Sequence, residues 1–300
     1  GLIWMVQQRR WWRVGGLSAA LLAIALVPSP LNKIAQGQVQ VHVLDVGQGT
    51  AVLLQTATQN WLYDTGPRYG NDNDAGARVI VPYLRAHGVS QIDTMILSHD
   101  DADHTGGALS VARAVTVNQL LTSIAAPDLP IKTQKCEVGQ RFEFDGVVMT
   151  MLSPDAALRD NTQMSDNSKS CILRIDAPSG QWRSILLTGD VDGLQEARLV
   201  VSPQGGVRDW AVDVLMMPHH GSGGSSTQPL IDATRPKMVF AQAGYLNSFH
   251  HPRPNVLQRY RESGADIQQT VDDGTLRFCI GCDTADMVKW RDVGRRYWWN

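Results

Sequence analysis

The chemistry of this sequence is concentrated in SHDDADHTGG, Ser98 to Gly107, where two imidazoles and three carboxylates fall between His99 and His104. No Lys or Arg lies between Arg85 and Arg113, so Asp100, Asp101 and Asp103 have no local basic partner and repel one another. A divalent cation would relieve that repulsion, and a tight turn carrying His and Asp at alternate positions can supply its ligands. Gly106 and Gly107 then allow the next helix to approach closely. Further Asp and His residues close apolar runs elsewhere: Asp45 after Val39 to Leu44, Asp64 after Trp61 to Tyr63, Asp190 after Leu186 to Gly189, and His219-His220 after Met216 to Pro218. Singly each is weak, since Asp103 also suits a helix cap and a lone His is more often packed than ligating. Together they describe strand ends converging on one rim, where loops on a rigid scaffold build sites.

The elements that must position these residues follow from periodicity. Val39, Val41 and Val43 alternate with polar residues as a strand does, Val46 to Gly49 is a turn, and Thr50 to Thr56 returns as a second strand. Pro67 to Gly76 is a polar loop, Val79 to His87 a helix, Asp93 to Ser98 a strand and Thr105 to Val115 a helix. After a less regular middle, strands are expected at 170–175, 184–187, 212–217, 238–241 and within 267–278. Helices fall at 194–200, around Leu230 and at 255–263. Strand hairpins mixed with strand-helix units in both halves predict two sheets face to face with helices outside, an αββα four-layer sandwich over residues 38–282.

Hydrophobic residues make up 43% and charged residues 19%, a globular balance, and 27 Lys plus Arg against 29 Asp plus Glu leave a net charge of −2. That excludes a global basic field, so nucleic acid would have to be held by local patches or by metal. Arg68, Arg78, Arg159, Lys169 and Arg253 are candidates for such a patch, with solvated surface charge the default for each. In residues 1–37, Arg9, Arg10 and Arg13 precede the uncharged run Val14 to Val27, closed by Pro28-Ser29-Pro30. The run is shorter than the roughly 20 residues of a full span, but Trp11 and Trp12 as interfacial anchors extend it to a marginal transmembrane helix. Its flanking arginines orient the remainder outside the cytoplasm. A signal sequence of the same orientation and a buried core helix are the rival readings, and the abrupt apolar opening Gly1 to Met5 suits a piece of a longer membrane protein. Residues 283–300 read as a basic aromatic tail able to stack on bases, rest at a lipid interface or pack on the surface. Four cysteines fit an oxidising compartment. The Cys279-Ile280-Gly281-Cys282 spacing follows a strand pattern, which favours a structural bridge or two packed thiols over a redox motif.

His99-x-Asp101-x-Asp103-His104 resembles the metallo-β-lactamase superfamily motif H-x-H-x-D-H, with Asp101 in place of the second His. Leu44 to Gly49, Leu187 to Asp190, Pro218 to Ser222, Asn167-x-x-Ser170 and His251-Pro252 are together similar to the C-terminal, extracytoplasmic domain of ComEC-type competence proteins, the DNA-uptake channel. The likeness runs from about Val39 to Phe278, with its motifs in the family's order. It implies a hydrolytic site with two divalent metals: His99 and Asp101 on one, Asp103 and His104 on the other, Asp190 between them and His220 as the late ligand. Asp103 and Asn167 would take part in catalysis, and His219 or His251 would protonate the leaving group. The superfamily's mid-chain His is missing, with Asp166 or Asn167 in its place. More oxygen and less imidazole shifts preference from Zn²⁺ toward Mn²⁺ or Mg²⁺, Mn²⁺ first. The expected activity is metal-dependent hydrolysis of DNA phosphodiesters, on the strand not transported, at the outer side of the cytoplasmic membrane. Expected partners are single-stranded DNA and the channel portion of the same polypeptide, with no nucleotide cofactor. Rival functions are hydrolysis of small esters or lactones, which needs an apolar pocket, and a catalytically degenerate DNA-binding domain.

Overall fold

The computed structural model describes residues 34–70, 73–124, 129–201 and 209–294. The membrane-helix reading of the first residues lies outside that range, and among the described residues no helix is long and apolar enough to cross a membrane.

In chain order the strands are β1 (Val39–Val43), β2 (Val52–Gln55), β3 (Asn60–Tyr63), β4 (Arg68–Gly70), β5 (Asn73–Asp74), β6 (Gln91–Leu97), β7 (Thr116–Thr122), β8 (Lys132–Lys135), β9 (Arg141–Phe144), β10 (Val147–Ser153), β11 (Ile172–Asp176), β12 (Ser184–Leu187), β13 (Val214–Met216), β14 (Met238–Ala241), β15 (Asp266–Gln269), β16 (Leu276–Ile280) and β17 (Met287–Lys289). One sheet runs β17-β16-β1-β2-β3-β6-β7-β8 and the other β15-β14-β13-β12-β11-β10-β9, with β4-β5 a small separate ribbon.

Alternation assigns each side chain to a layer. Val39, Val41, Val43, Leu54, Trp61 and Tyr63 of the first sheet meet Met149, Leu173, Ile175, Ile185, Leu187 and Phe240 of the second in one buried cluster. The opposite face of the first sheet, including Leu53, Leu62, Met95 and Leu120, packs on Ile80, Leu84, Ala108 and Val111 from helical segments. Leu186, Leu215 and Val239 similarly cover Leu199, Ile231, Val256 and Tyr260. The layers are therefore helix, sheet, sheet, helix, as expected. Each fully buried Val, Leu or Phe in them contributes about 1.5–3 kcal/mol.

Several elements differ from expectation. The described residues of the middle region include four strands, β7 to β10. The helix expected from Thr105 to Val115 is two pieces, Ala102–Thr105 and Ala108–Ala114. They break at the glycine pair, where a Cβ on Gly106 would lie 2.3 Å from Arg68 N and one on Gly107 2.3 Å from Thr65 O. The segment read as a tail contributes β17, which pairs antiparallel with β16 and so lengthens the first sheet beyond residue 282. Both cysteine pairs are disulfides, Cys136–Cys171 and Cys279–Cys282.

Candidate metal centre

Strands β3, β6 and β7 are parallel, as are β12, β13, β14 and β15. Parallel strands put their carboxyl ends on one edge, which is where α/β folds place their sites. Asp64 follows β3, Ser98-His99 follow β6, Asp190 follows β12 and His219-His220 follow β13, so residues far apart in sequence meet at one rim. The rim is sewn together by backbone: Cys171 N donates to Ser98 O at 2.9 Å across the sheets, and Thr50 N donates to Asp103 O at 3.1 Å. Gly49, at φ 138°, permits that second approach, because a Cβ there would lie 2.3 Å from Asp103 O.

The imidazoles are held with one nitrogen occupied and the other aimed inward. His104 Nδ1 donates to Asp64 Oδ2 at 2.7 Å, and His220 Nδ1 donates to the Gln242 carbonyl at 2.8 Å. In the neutral tautomers these bonds select, both Nε2 atoms carry lone pairs, yet they lie 3.2 Å apart. Around them stand Asp190 Oδ1, 3.2 Å from His104 Nε2, and Asp103 Oδ2, 3.2 Å from His220 Nε2. Asp190 Oδ2 is 3.4 Å from His220 Nε2 and 3.6 Å from His219 Nε2. Buried His99 Nε2 has no hydrogen-bond partner, and its Nδ1 meets Ser98 Oγ at 2.9 Å. Lone pairs and carboxylates facing one another need positive charge between them. Among the described residues two groups have donor atoms mutually within 4.8 Å, His99, His104 and Asp190, and Asp103, His104 and His220. This donor set fits divalent cations.

Electrostatics tells the same story. Burial alone would favour the neutral imidazole of His104, but Asp190 and Asp64 outweigh it and hold its pKa well above the ordinary 6.5. Burial would likewise raise Asp190, yet His104 and His220 hold its carboxyl well below the usual range. His220 is raised against burial by Asp190 and by its bond to Asp103. The carboxylates thus favour positive charge at this spot, the charge that a bound cation would supply. His219 is lowered by burial and His251 is lowered to about 4, by burial and by His219 and His220. His219 and His220 also hold consecutive left-handed backbones, φ 50° and 54°, a strain of about 1–3 kcal/mol each that aims both rings at the rim.

The structure gathers His99, Asp103, His104, Asp190 and His220, with half-exposed Asp101 beside His99 at 3.4 Å. By distance Asp103, His104 and His220 fall in one group and His99, His104 and Asp190 in the other, so His104 stands in both and Asp101 in neither. His251 lies behind His219, their ring centroids 5.7 Å apart. Asn167 heads a short turn whose carbonyl accepts from Ser170 Oγ, and that hydroxyl in turn accepts from Asp190 N at 3.1 Å. Its neighbour Asp166 faces outward to Lys169 at 3.5 Å. Asp45 does not join the cluster, being held by Gly47 N at 3.4 Å and Arg291 at 3.8 Å. Of the basic candidates, Arg159 is tied to Glu137 and Asp160, and Arg78 stands over Tyr69. Sequence reasoning noted Asp64 only as a strand end. The fully buried carboxylate also accepts from Ser98 N at 2.7 Å and Ser98 Oγ at 2.8 Å, and so sets both His99 and His104. Its signal was its place after an apolar run, which Asp45 shares.

The family model for the metallo-beta-lactamase superfamily matches residues 44–138. The αββα layers and the His/Asp rim agree with that likeness in fold and in the kind of site. The chain is similar to Competence protein ComA of Neisseria gonorrhoeae, 33% identical over 93% of this chain and 38% of that protein. It is also similar to Recombination protein 2 of Haemophilus influenzae, 31% identical over 79% of this chain and 28% of that one. The chain thus spans well under half the length of these relatives. In fold alone it resembles the crystal structure of CmlA, a diiron beta-hydroxylase from Streptomyces venezuelae. That likeness has a TM-score of 0.51 and 11% identity, covering 87% of this chain and 55% of that one.

Proposed function

We propose that this domain is a metal-dependent phosphodiesterase acting on DNA, the nuclease part of an uptake system, working outside the cytoplasmic membrane on the strand that is not transported. The observation that carries it is the pair of inward Nε2 atoms, His104 and His220, 3.2 Å apart between the carboxylates of Asp103 and Asp190. The names of the competence and recombination relatives support DNA as the substrate. The two disulfides support an oxidising compartment.

His99, Asp103, His104, Asp190 and His220 would hold two divalent cations, with Asp101 closing the outer side at His99. Three carboxylates beside three imidazoles, with no thiolate among them, suit Mn²⁺ ahead of Zn²⁺ or Mg²⁺. When bound, such ions polarise a phosphoryl group and acidify a water molecule. Asp64 fixes the His104 tautomer and, through Ser98, the His99 ring. Asn167 supports the turn that holds Asp190 through Ser170. His219, one-third exposed and 3.6 Å from Asp190, is placed to donate an N–H hydrogen bond to the departing oxygen, with His251 behind it. Burial lowers both rings, which favours their neutral form, so His219 would act as an N–H donor rather than as an imidazolium.

The test is incubation of the purified chain with Mn²⁺ and labelled single-stranded DNA. Cleavage is expected, and Asp103→Asn should abolish it. Equal cleavage by that variant would refute the assignment, and a chain that binds metal but cleaves only lactones would move the function to small esters.

A further inference from the structure

The loop between β14 and the helix Pro254–Glu262 exposes three large apolar side chains within five positions: Tyr245, Leu246 and Phe249 are 79%, 83% and 55% exposed. Single exposed apolar residues are ordinary, but a cluster beside a candidate site marks a contact surface. The loop is braced from within: Asn247 Nδ2 donates to Gly244 O at 2.9 Å and His251 O at 2.6 Å, and Asn247 Oδ1 accepts from His251 N at 2.9 Å. Both ends are tied to loops that carry metal-centre residues. Gly244 N donates to Gln48 Oε1 at 3.2 Å, one residue before the Gly49 that seats Asp103. Arg253 N donates to Gly221 O at 2.9 Å, immediately after His220. The Phe249 ring lies at 26° to that of His251 with centroids 5.6 Å apart, and His251 meets His219 edge-on at 5.7 Å. A row of rings therefore leads from the metal centre to the exposed tip, flanked by exposed His250 and Arg253.

We propose that Tyr245, Leu246 and Phe249 form a stacking platform that holds an unpaired base of a single-stranded polynucleotide beside the metal centre. The inference rests on the phosphodiesterase reading and adds strand selectivity to it. An aromatic face is open only to a base released from its duplex partner, and it accepts any base because every base has a π-face. Arg253 at the loop's end offers positive charge to the adjoining backbone phosphate, which an apolar loop entering lipid would not need so near a hydrolytic centre. Bracing matters here because a platform ordered in advance loses less entropy on binding than a free loop.

The experiment uses the whole 300-residue chain and a double variant, Tyr245→Ala with Phe249→Ala, alongside Tyr245→Trp. Fluorescence anisotropy with a labelled single-stranded 20-mer and its duplex is measured with and without Mn²⁺, and hydrolysis of bis(p-nitrophenyl) phosphate is followed in parallel. The double variant should bind the single strand at least about tenfold more weakly, the loss expected for removing one or two stacked bases. Its duplex affinity and small-diester hydrolysis should be unchanged, and Tyr245→Trp should retain single-strand binding. Unchanged single-strand affinity, an equal loss for duplex, or no binding by the parent chain would overturn the platform. Loss of binding to phosphatidylglycerol vesicles with DNA affinity intact would assign the loop to lipid instead. If the parent chain hydrolyses neither diester, the phosphodiesterase reading fails while the anisotropy result still decides the platform.

Discussion

Replacing Asp64 by Asn should weaken metal binding without touching any of the proposed ligands. The carboxylate accepts three hydrogen bonds, from Ser98 N, Ser98 Oγ and His104 Nδ1. An amide has one acceptor oxygen. If that oxygen keeps the Ser98 N–H, the NH₂ end faces Ser98 Oγ, which can turn to accept, and His104 Nδ1, which accepts only by losing its proton. The proton then moves to Nε2, the atom 3.2 Å from Asp190 Oδ1, and His104 presents an N–H where a ligand needs a lone pair. Outer partners of metal-binding His are worth about 10–100-fold in affinity. At a free metal concentration about 100 times the parent Kd, binding stabilises the parent by about 2.7 kcal/mol. The same concentration stabilises the variant by only about 0.4–1.4 kcal/mol. The lost 1.3–2.3 kcal/mol corresponds to a metal-dependent Tm shift smaller by about 3–9 °C for a domain of this size. Differential scanning fluorimetry with and without Mn²⁺, with isothermal titration for Kd, reads both quantities. A variant with the parent's Kd and the parent's metal-dependent shift would show that the Asp64 hydrogen bonds do not set the tautomer, and the argument from inward lone pairs would fall with it.

Two further outcomes follow from the same geometry. In chelator-treated protein, the raised His104 and His220 contribute stability that is complete below about pH 6.5, their unfolded value, and is lost as pH rises through their folded values. The depressed Asp190 and Asp103 contribute stability that persists above the usual carboxylate range and is lost only as pH falls through their lower folded values. His42, His219 and His251, all depressed, are almost wholly neutral in folded and unfolded states above about pH 7.5 and add little slope there. The Tm of metal-free protein should therefore fall between about pH 7.5 and 9. Mn²⁺ should flatten that fall while binding more tightly as pH rises; a metal-free Tm that climbs over this range contradicts the assignment. Replacing Cys136 and Cys171 together by Ser should lower stability by about 4 kcal/mol, the loop-closure value for a separation of 35 residues, as read by urea denaturation. A change under about 0.5 kcal/mol would show that the bridge is incidental to holding the sheets together.

The types of the ligands and their positions after apolar runs were legible in the one-dimensional pattern, because a strand's alternation and a turn's glycines are local properties. The sandwich followed too, since two sets of half-apolar strands with amphipathic helices have few ways to bury their faces. The edge elements were not legible: β8 and β9 are largely exposed, so Lys132 to Lys135 and Arg141 to Phe144 show little hydrophobic contrast. Nor did local sequence separate Asp45 from Asp64. Each closes an apolar run, but β3 lies parallel and adjacent to β6, which delivers Asp64 to Ser98 and His104, whereas Asp45 lies where Thr275 and Arg291 reach it. The same holds for the loop at Tyr245, whose exposure beside His219 depends on the packing of β14 next to β13. Local periodicity records how much of a segment is buried. Which carboxylate meets which imidazole depends on strand neighbours and register, which arise only when distant segments pair.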